Sequence, residues 1–181
     1  MPYTGWEWIN EPRDWAAGEA LRVVADPGTD FWQKTHYGFT HDNGHIFGRV
    51  MNGDLRITAT FELDWSEQYD QAGVALRIDE ENWIKAGVEL VDGAPLVSAV
   101  VTRGWSDWSV VAAPDGFRSV TVDLERTGDT VTVRYGLDGA APERMLRLAY
   151  FPPDVPAFAG VMCAAPTGKG FETRFGPVSL T

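Results

Sequence analysis

Apolar and polar residues alternate with a period of two along most of the chain. Leu55, Ile57, Ala59, Phe61 and Leu63 alternate with Arg56, Thr58, Thr60 and Glu62. Val74, Leu76 and Ile78 carry the pattern on, and Ile84, Ala86, Val88 and Leu90 alternate with Trp83, Lys85, Gly87 and Glu89. The stretches 120–124, 131–135, 146–150, 158–164 and 171–180 have the same apolar, strand-like character. Side chains on a strand point to opposite faces in turn, so alternation predicts strands with one buried side. Between them lie Asp42-Asn43-Gly44, Asn52-Gly53-Asp54, Asp92-Gly93, Pro114-Asp115-Gly116, Thr127-Gly128-Asp129 and Asp138-Gly139. Asn-Gly and Asp-Gly supply the positive φ angles of tight hairpins. No long amphipathic helix, repeat or linker interrupts the series. The expectation is an all-β sandwich or jelly roll, with residues 1–181 forming one domain.

Two neighbouring strands have an unusual polar face. Gln71, Gly73 and Arg77 lie on one, and Trp83, Lys85, Gly87 and Glu89 on the other. Glycines beside a carboxylate, a cation and an aromatic plate describe a thinned surface that receives a ligand. The competing reading is a solvated face laced by ion pairs. Two further segments extend the candidate platform. If 30–38 is a strand, Trp32, Lys34 and His36 share one side. The run Thr102-Arg103-Gly104-Trp105-Ser106-Asp107-Trp108-Ser109 reads as a loop, with Arg103, Trp105, Asp107 and Trp108 placed to close over a ring and bond its hydroxyls. The expected ligand is a carbohydrate or a small polar molecule.

Glu89 is the best candidate for chemistry, as acid or base in a glycoside-active hydrolase or lyase. Such chemistry needs a second carboxylate, for which Asp70, Glu62 and Asp107 are the candidates, and no Glu-x-Asp-x-x-Glu strand motif is present. His36, His41 and His45 fall in one short window but read as solvated turn residues rather than zinc ligands. No metal or other cofactor is expected. Cys163 sits among apolar neighbours and reads as an inert buried thiol. Thr167-Gly168-Lys169-Gly170 lacks the spacing of a phosphate loop.

Composition narrows the partners. The formal net charge of −11 disfavours nucleic acid and anionic membrane surfaces. A single cysteine forms no internal disulfide, and the N-terminus shows no leader pattern, so a cytoplasmic setting is the expectation. Eight tryptophans are many for the length, and some belong to packing rather than to a ligand.

Several motifs recur together in one family. They include Asp30-Phe31-Trp32, Tyr37-Gly38, Asp42-Asn43-Gly44-His45, Gln71-Ala72-Gly73, the run from Trp83 to Glu89, Ser106-Asp107-Trp108-Ser109 and Cys163-Ala164-Ala165-Pro166. In their order and spacing the chain resembles the DUF1349, regulation-of-enolase-like proteins. The resemblance implies a concanavalin A-like jelly roll with a concave face and a cytosolic metabolic context. A protein-interaction module regulating a metabolic enzyme, with the tryptophan-rich loops as its interface, is the alternative function. It carries no catalytic residues with it. Ala165 departs from the serine often found before that proline.

Overall fold

The computed structural model describes residues 3–62 and 67–181. Two seven-stranded sheets lie face to face. The first runs in the order β1 (Glu7–Ile9), β6 (His45–Met51), β15 (Ala157–Ala164), β8 (Gln71–Asp79), β9 (Asn82–Val91), β10 (Ala94–Arg103) and β11 (Ser106–Ala112). The second runs β14 (Arg144–Tyr150), β13 (Thr130–Leu137), β12 (Ser119–Thr127), β7 (Leu55–Glu62), β16 (Phe171–Leu180), β3 (Leu21–Ala25) and β2 (Asp14–Ala17). All named strand pairs are antiparallel. The architecture is a two-sheet antiparallel jelly roll, within the all-β class that the alternation predicts.

Parity decides what is inside. Ile57, Ala59 and Phe61 of β7, Val122 and Leu124 of β12, Val74 and Leu76 of β8, and Ile84 and Val88 of β9 fill the space between the sheets. Their burial removes apolar surface from water, which is the main favourable contribution to such a fold. Phe47 closes one margin of the sandwich, ringed by Tyr3, Trp6, Trp8 and Trp15 with ring centroids 4.8 to 5.5 Å away. Three of the tryptophans are therefore packing residues. Trp65 and Leu63 lie outside the described residues.

The outward face of the first sheet is not open. A two-stranded ribbon, β4 (Phe31–Gln33) and β5 (Thr40–Asp42), lies over it. Phe31 and Trp32 of the ribbon join Ile46, Ala75, Trp83, Val100, Phe158 and Met162 of the sheet in a second, smaller apolar cluster. Period two cannot announce this cover, because it depends on a contact between distant parts of the chain.

Two local expectations are corrected. Residues 30–38 do not form one strand: β4 ends at Gln33, and Lys34 and His36 adopt φ of 60° and 65°. The alternation that aligned Trp32, Lys34 and His36 is thereby broken. Residues 102–109 are not a closing loop but the tight end of the β10–β11 hairpin, turned at Gly104, whose φ is 70°. Such a conformation suits glycine.

Gly73 and Gly87 face each other across β8 and β9. A Cβ on Gly73 would lie 2.0 Å from the Ala86 carbonyl oxygen, and one on Gly87 would lie 1.9 Å from that of Ala72. Close approach of the two backbones requires glycine here. The bare floor between Lys85 and Glu89 is a consequence of strand geometry.

Candidate functional site

Lys85 and Glu89 share the outward face of β9 with Gly87 between them, and Gln71 of β8 pairs with Glu89. The ribbon turns this face into a cavity of about 250 Å³. Asp30, Lys85 and Glu89 bring the charge to it. Trp32, Tyr37, Phe39, Tyr69 and Trp108 bring aromatic surface. The combination of a mostly aromatic wall with a few convergent polar groups is the usual make-up of a small-molecule site.

The polar groups form a connected network. Lys85 Nζ donates to Gln71 Oε1 at 2.6 Å, to the Phe31 carbonyl at 2.8 Å and to Asp30 Oδ1 at 3.1 Å. An ammonium has three protons, and all three are taken. Asp30 Oδ1 also accepts from the Phe31 amide at 2.7 Å. Glu89 is held more loosely. Ser98 Oγ donates to its Oε2 at 3.3 Å and Gln71 Nε2 to its Oε1 at 3.5 Å. Trp108 Nε1 in turn donates to Ser98 Oγ at 2.9 Å, fixing that hydroxyl. Burial pushes the Glu89 carboxyl up to about 7, with the Lys85 charge opposing the rise and the Asp30 charge adding to it. Tyr37, hydrogen-bonded to Tyr69, partly desolvated and facing the charges of Glu89 and Asp30, is pushed up to about 12 and stays a neutral phenol at neutral pH.

A family model described as a protein of unknown function, DUF1349, matches residues 8–181. The chain belongs to this family. A relative from Saccharomyces cerevisiae named "Regulation of enolase protein 1" is 33% identical over 176 residues, covering 96% of this chain and 88% of its own length. The crystal structure of a functionally unknown protein from the same yeast superposes with a TM-score of 0.93 at 30% identity, over 99% of this chain and 97% of that one. The carbohydrate-binding module CBM66 of Bacillus subtilis shares the fold, with a TM-score of 0.59 at 17% identity over 97% of this chain and 94% of that one.

In this DUF1349 chain the predicted site residues separate into two groups. Trp32, Gln71, Lys85, Glu89 and Trp108 converge in or directly beneath the cavity. Trp83 lies on the expected face but is buried against Phe31, with its Nε1 donating to the Glu80 carbonyl at 3.1 Å, so it packs the ribbon. Arg77 binds Asp42 at 2.7 Å and fastens the ribbon further along. Lys34 points away to Glu81 at 3.3 Å and over the exposed Trp105 ring. Arg103 lies over Tyr150 on the other sheet, and Asp107 pairs with Arg147 at 3.1 Å. His36 and Asp107 border a shallow outer depression beyond Trp32 and Trp108, outside the cavity.

The proposed second carboxylates do not join Glu89. Asp70 is fully buried in the turn before β8, where its Oδ2 accepts from the Glu67 amide at 3.1 Å. Glu62 ends a strand of the opposite sheet. Asp30 occupies that place, and sequence reasoning missed it. It stands beside Phe31 and Trp32 in a segment already singled out, but nothing local shows that this segment folds over β9. The histidines also need correction. His45 is buried, its Nε2 accepting from the Asp26 amide at 3.0 Å and its Nδ1 meeting the Asn10 carbonyl at 2.5 Å. His41 stands in the cavity wall. Among the described residues no cluster of His, Cys, Asp or Glu has the arrangement of a metal site.

Proposed function

We propose that the cavity binds one ring of a carbohydrate or a similar polyhydroxylated molecule. The observation that carries this reading is the meeting of Asp30 and Glu89 with an aromatic wall that includes Trp32, Tyr37 and Trp108. Aromatic faces suit the apolar side of a sugar ring, and carboxyl oxygens accept from its hydroxyls. The shared fold of a carbohydrate-binding module supports it. A thermal-shift screen against mono- and oligosaccharides tests it. A ligand at about 100 times its dissociation constant stabilises by roughly 2.7 kcal/mol. A shift lost in Glu89→Ala locates the ligand here. A blank screen, repeated by ligand-observed NMR, refutes the reading.

Glu89 is also a cavity group suited to exchanging a proton near neutral pH, which supports the reading of a sugar-active hydrolase or lyase. Product analysis with any saccharide that binds tests it.

The name of the yeast relative favours a second reading, in which the domain modulates a metabolic enzyme in the cytoplasm. Co-purification of one such enzyme with the intact chain, abolished by substitutions on one surface, is its test.

A further inference from the structure

The cavity is unusual in how it spends its only lysine. Nζ of Lys85 gives all three protons to protein acceptors, Gln71, the Phe31 carbonyl and Asp30. The side chain is 7% exposed, and its partner Asp30 is 16% exposed. A ligand therefore meets this ammonium only by displacing one of those bonds. The carboxyl groups are placed differently. The hydrogen bonds of Glu89 to Ser98 and Gln71 are long, 3.3 and 3.5 Å, with Trp108 also near its carboxyl, and both Asp30 and Glu89 stand in the cavity wall. The Oδ2 of Asp30 accepts no hydrogen bond among the described residues, its bonds all falling on Oδ1.

Resting on the sugar-binding reading above, we infer that the site selects its ligand by charge, accepting neutral sugars and excluding those that carry a carboxylate or a phosphate. A neutral hydroxyl donates to Glu89 or Asp30 and completes their hydrogen bonding. An anion in the same place meets two acceptors and a saturated cation, and such like-charge contacts in a confined site are strongly unfavourable. It also loses its hydration shell without replacement. The remaining titratable groups facing the cavity do not reverse this. Tyr37 and Tyr69 are hydrogen-bonded to each other. His41, from β5, packs its ring 4.7 Å from that of Phe39. The chain's net charge of −11 adds a field of the same sign.

The test is isothermal titration calorimetry of the full chain with matched probes. Glucose, galactose, mannose and xylose form the neutral arm. Glucuronate, galacturonate and the phosphate ester of glucose form the anionic arm. Work at pH 8 lies above the Glu89 carboxyl, raised to about 7, and so keeps that carboxylate charged. A neutral sugar is expected to bind, with its acidic counterpart weaker by about tenfold or more. The Asp30→Asn variant removes one negative charge from the wall and narrows that gap. An acidic or phosphorylated probe that binds as tightly as its neutral match overturns the charge rule and leaves the sugar-binding reading standing. A gap unchanged by Asp30→Asn overturns the assignment of the rule to these residues. Failure of every probe to bind removes the sugar-binding reading, and this inference falls with it.

Discussion

Lys85 Nζ lies 3.1 Å from Asp30 Oδ1, so the floor of the cavity and the segment that covers it are joined by a largely buried ion pair. The pair belongs to the fold as much as to the site. Lys85 also bonds the Phe31 carbonyl, which fixes the start of β4. Removing one member of a buried pair leaves the other uncompensated, a loss of about 3 to 5 kcal/mol.

Lys85→Met is therefore expected to destabilise the protein by about 3 kcal/mol in urea unfolding. The double variant Asp30→Asn, Lys85→Met recovers part of the loss, because the stranded charge is gone. Equal stability of the single and double variants would show that the pair does not hold the ribbon.

Glu89 makes stability depend on pH. Its folded carboxyl is raised from 4.5 to about 7. The folded protein then holds a proton that the unfolded chain releases, so this group favours folding at low pH and opposes it as pH rises through that interval. Wild type loses about 2 to 3 kcal/mol of stability from this group between pH 5 and pH 8, and Glu89→Gln does not. Urea titrations of both proteins at the two pH values measure the difference. Parallel behaviour of the two would contradict the raised carboxyl.

Gly87→Ala tests the close approach of β8 and β9. The new Cβ would meet backbone, 1.9 Å from the Ala72 oxygen and 2.7 Å from the Gly73 Cα. Backbone cannot yield as a flexible side chain does, and a loss of about 2 kcal/mol or more is expected. A drop under roughly half that size in thermal or urea unfolding would mean the strands can separate without cost.

Trp105 and Trp108 are neighbours in sequence with different surroundings. Trp105 is 63% exposed at the hairpin end, whereas Trp108 lines the cavity and positions Ser98. Trp108→Ala should weaken saccharide binding by about tenfold or more, and Trp105→Ala should leave it within about twofold. Titrations with the saccharide that binds wild type decide between them, and equal effects would place the ligand elsewhere.

Cys163 is 1% exposed, and burial pushes its thiol well above the ordinary range. A thiol reagent should leave the folded protein unlabelled and label it once in denaturant. Rapid labelling of the native state would show that β15 opens readily.

The parts of the site legible in the sequence are those governed by one strand. Alternation puts Lys85 and Glu89 on one face of β9, and the adjacent hairpin partner supplies Gln71. The same logic failed for Lys34 and His36, because positive φ at both positions interrupts the alternation. Arg103 and Trp105 fall outside the site for a different reason: the segment that reads as a closing loop is the tight end of the β10–β11 hairpin.

By itself, then, the sequence located β7 to β9 and β12 to β16, their inner and outer faces, and the all-β class. Those follow from a period of two and from turn residues, which act over a few positions. The tertiary structure alone decided that the outer face is covered. It also decided that Trp83 is packing rather than platform, and that Asp30 is the carboxylate beside Lys85. Asp30 and Lys85 are 55 positions apart. Contacts at that separation arise from the packing of the ribbon against Ala75, Val100 and Phe158, and no local periodicity encodes them.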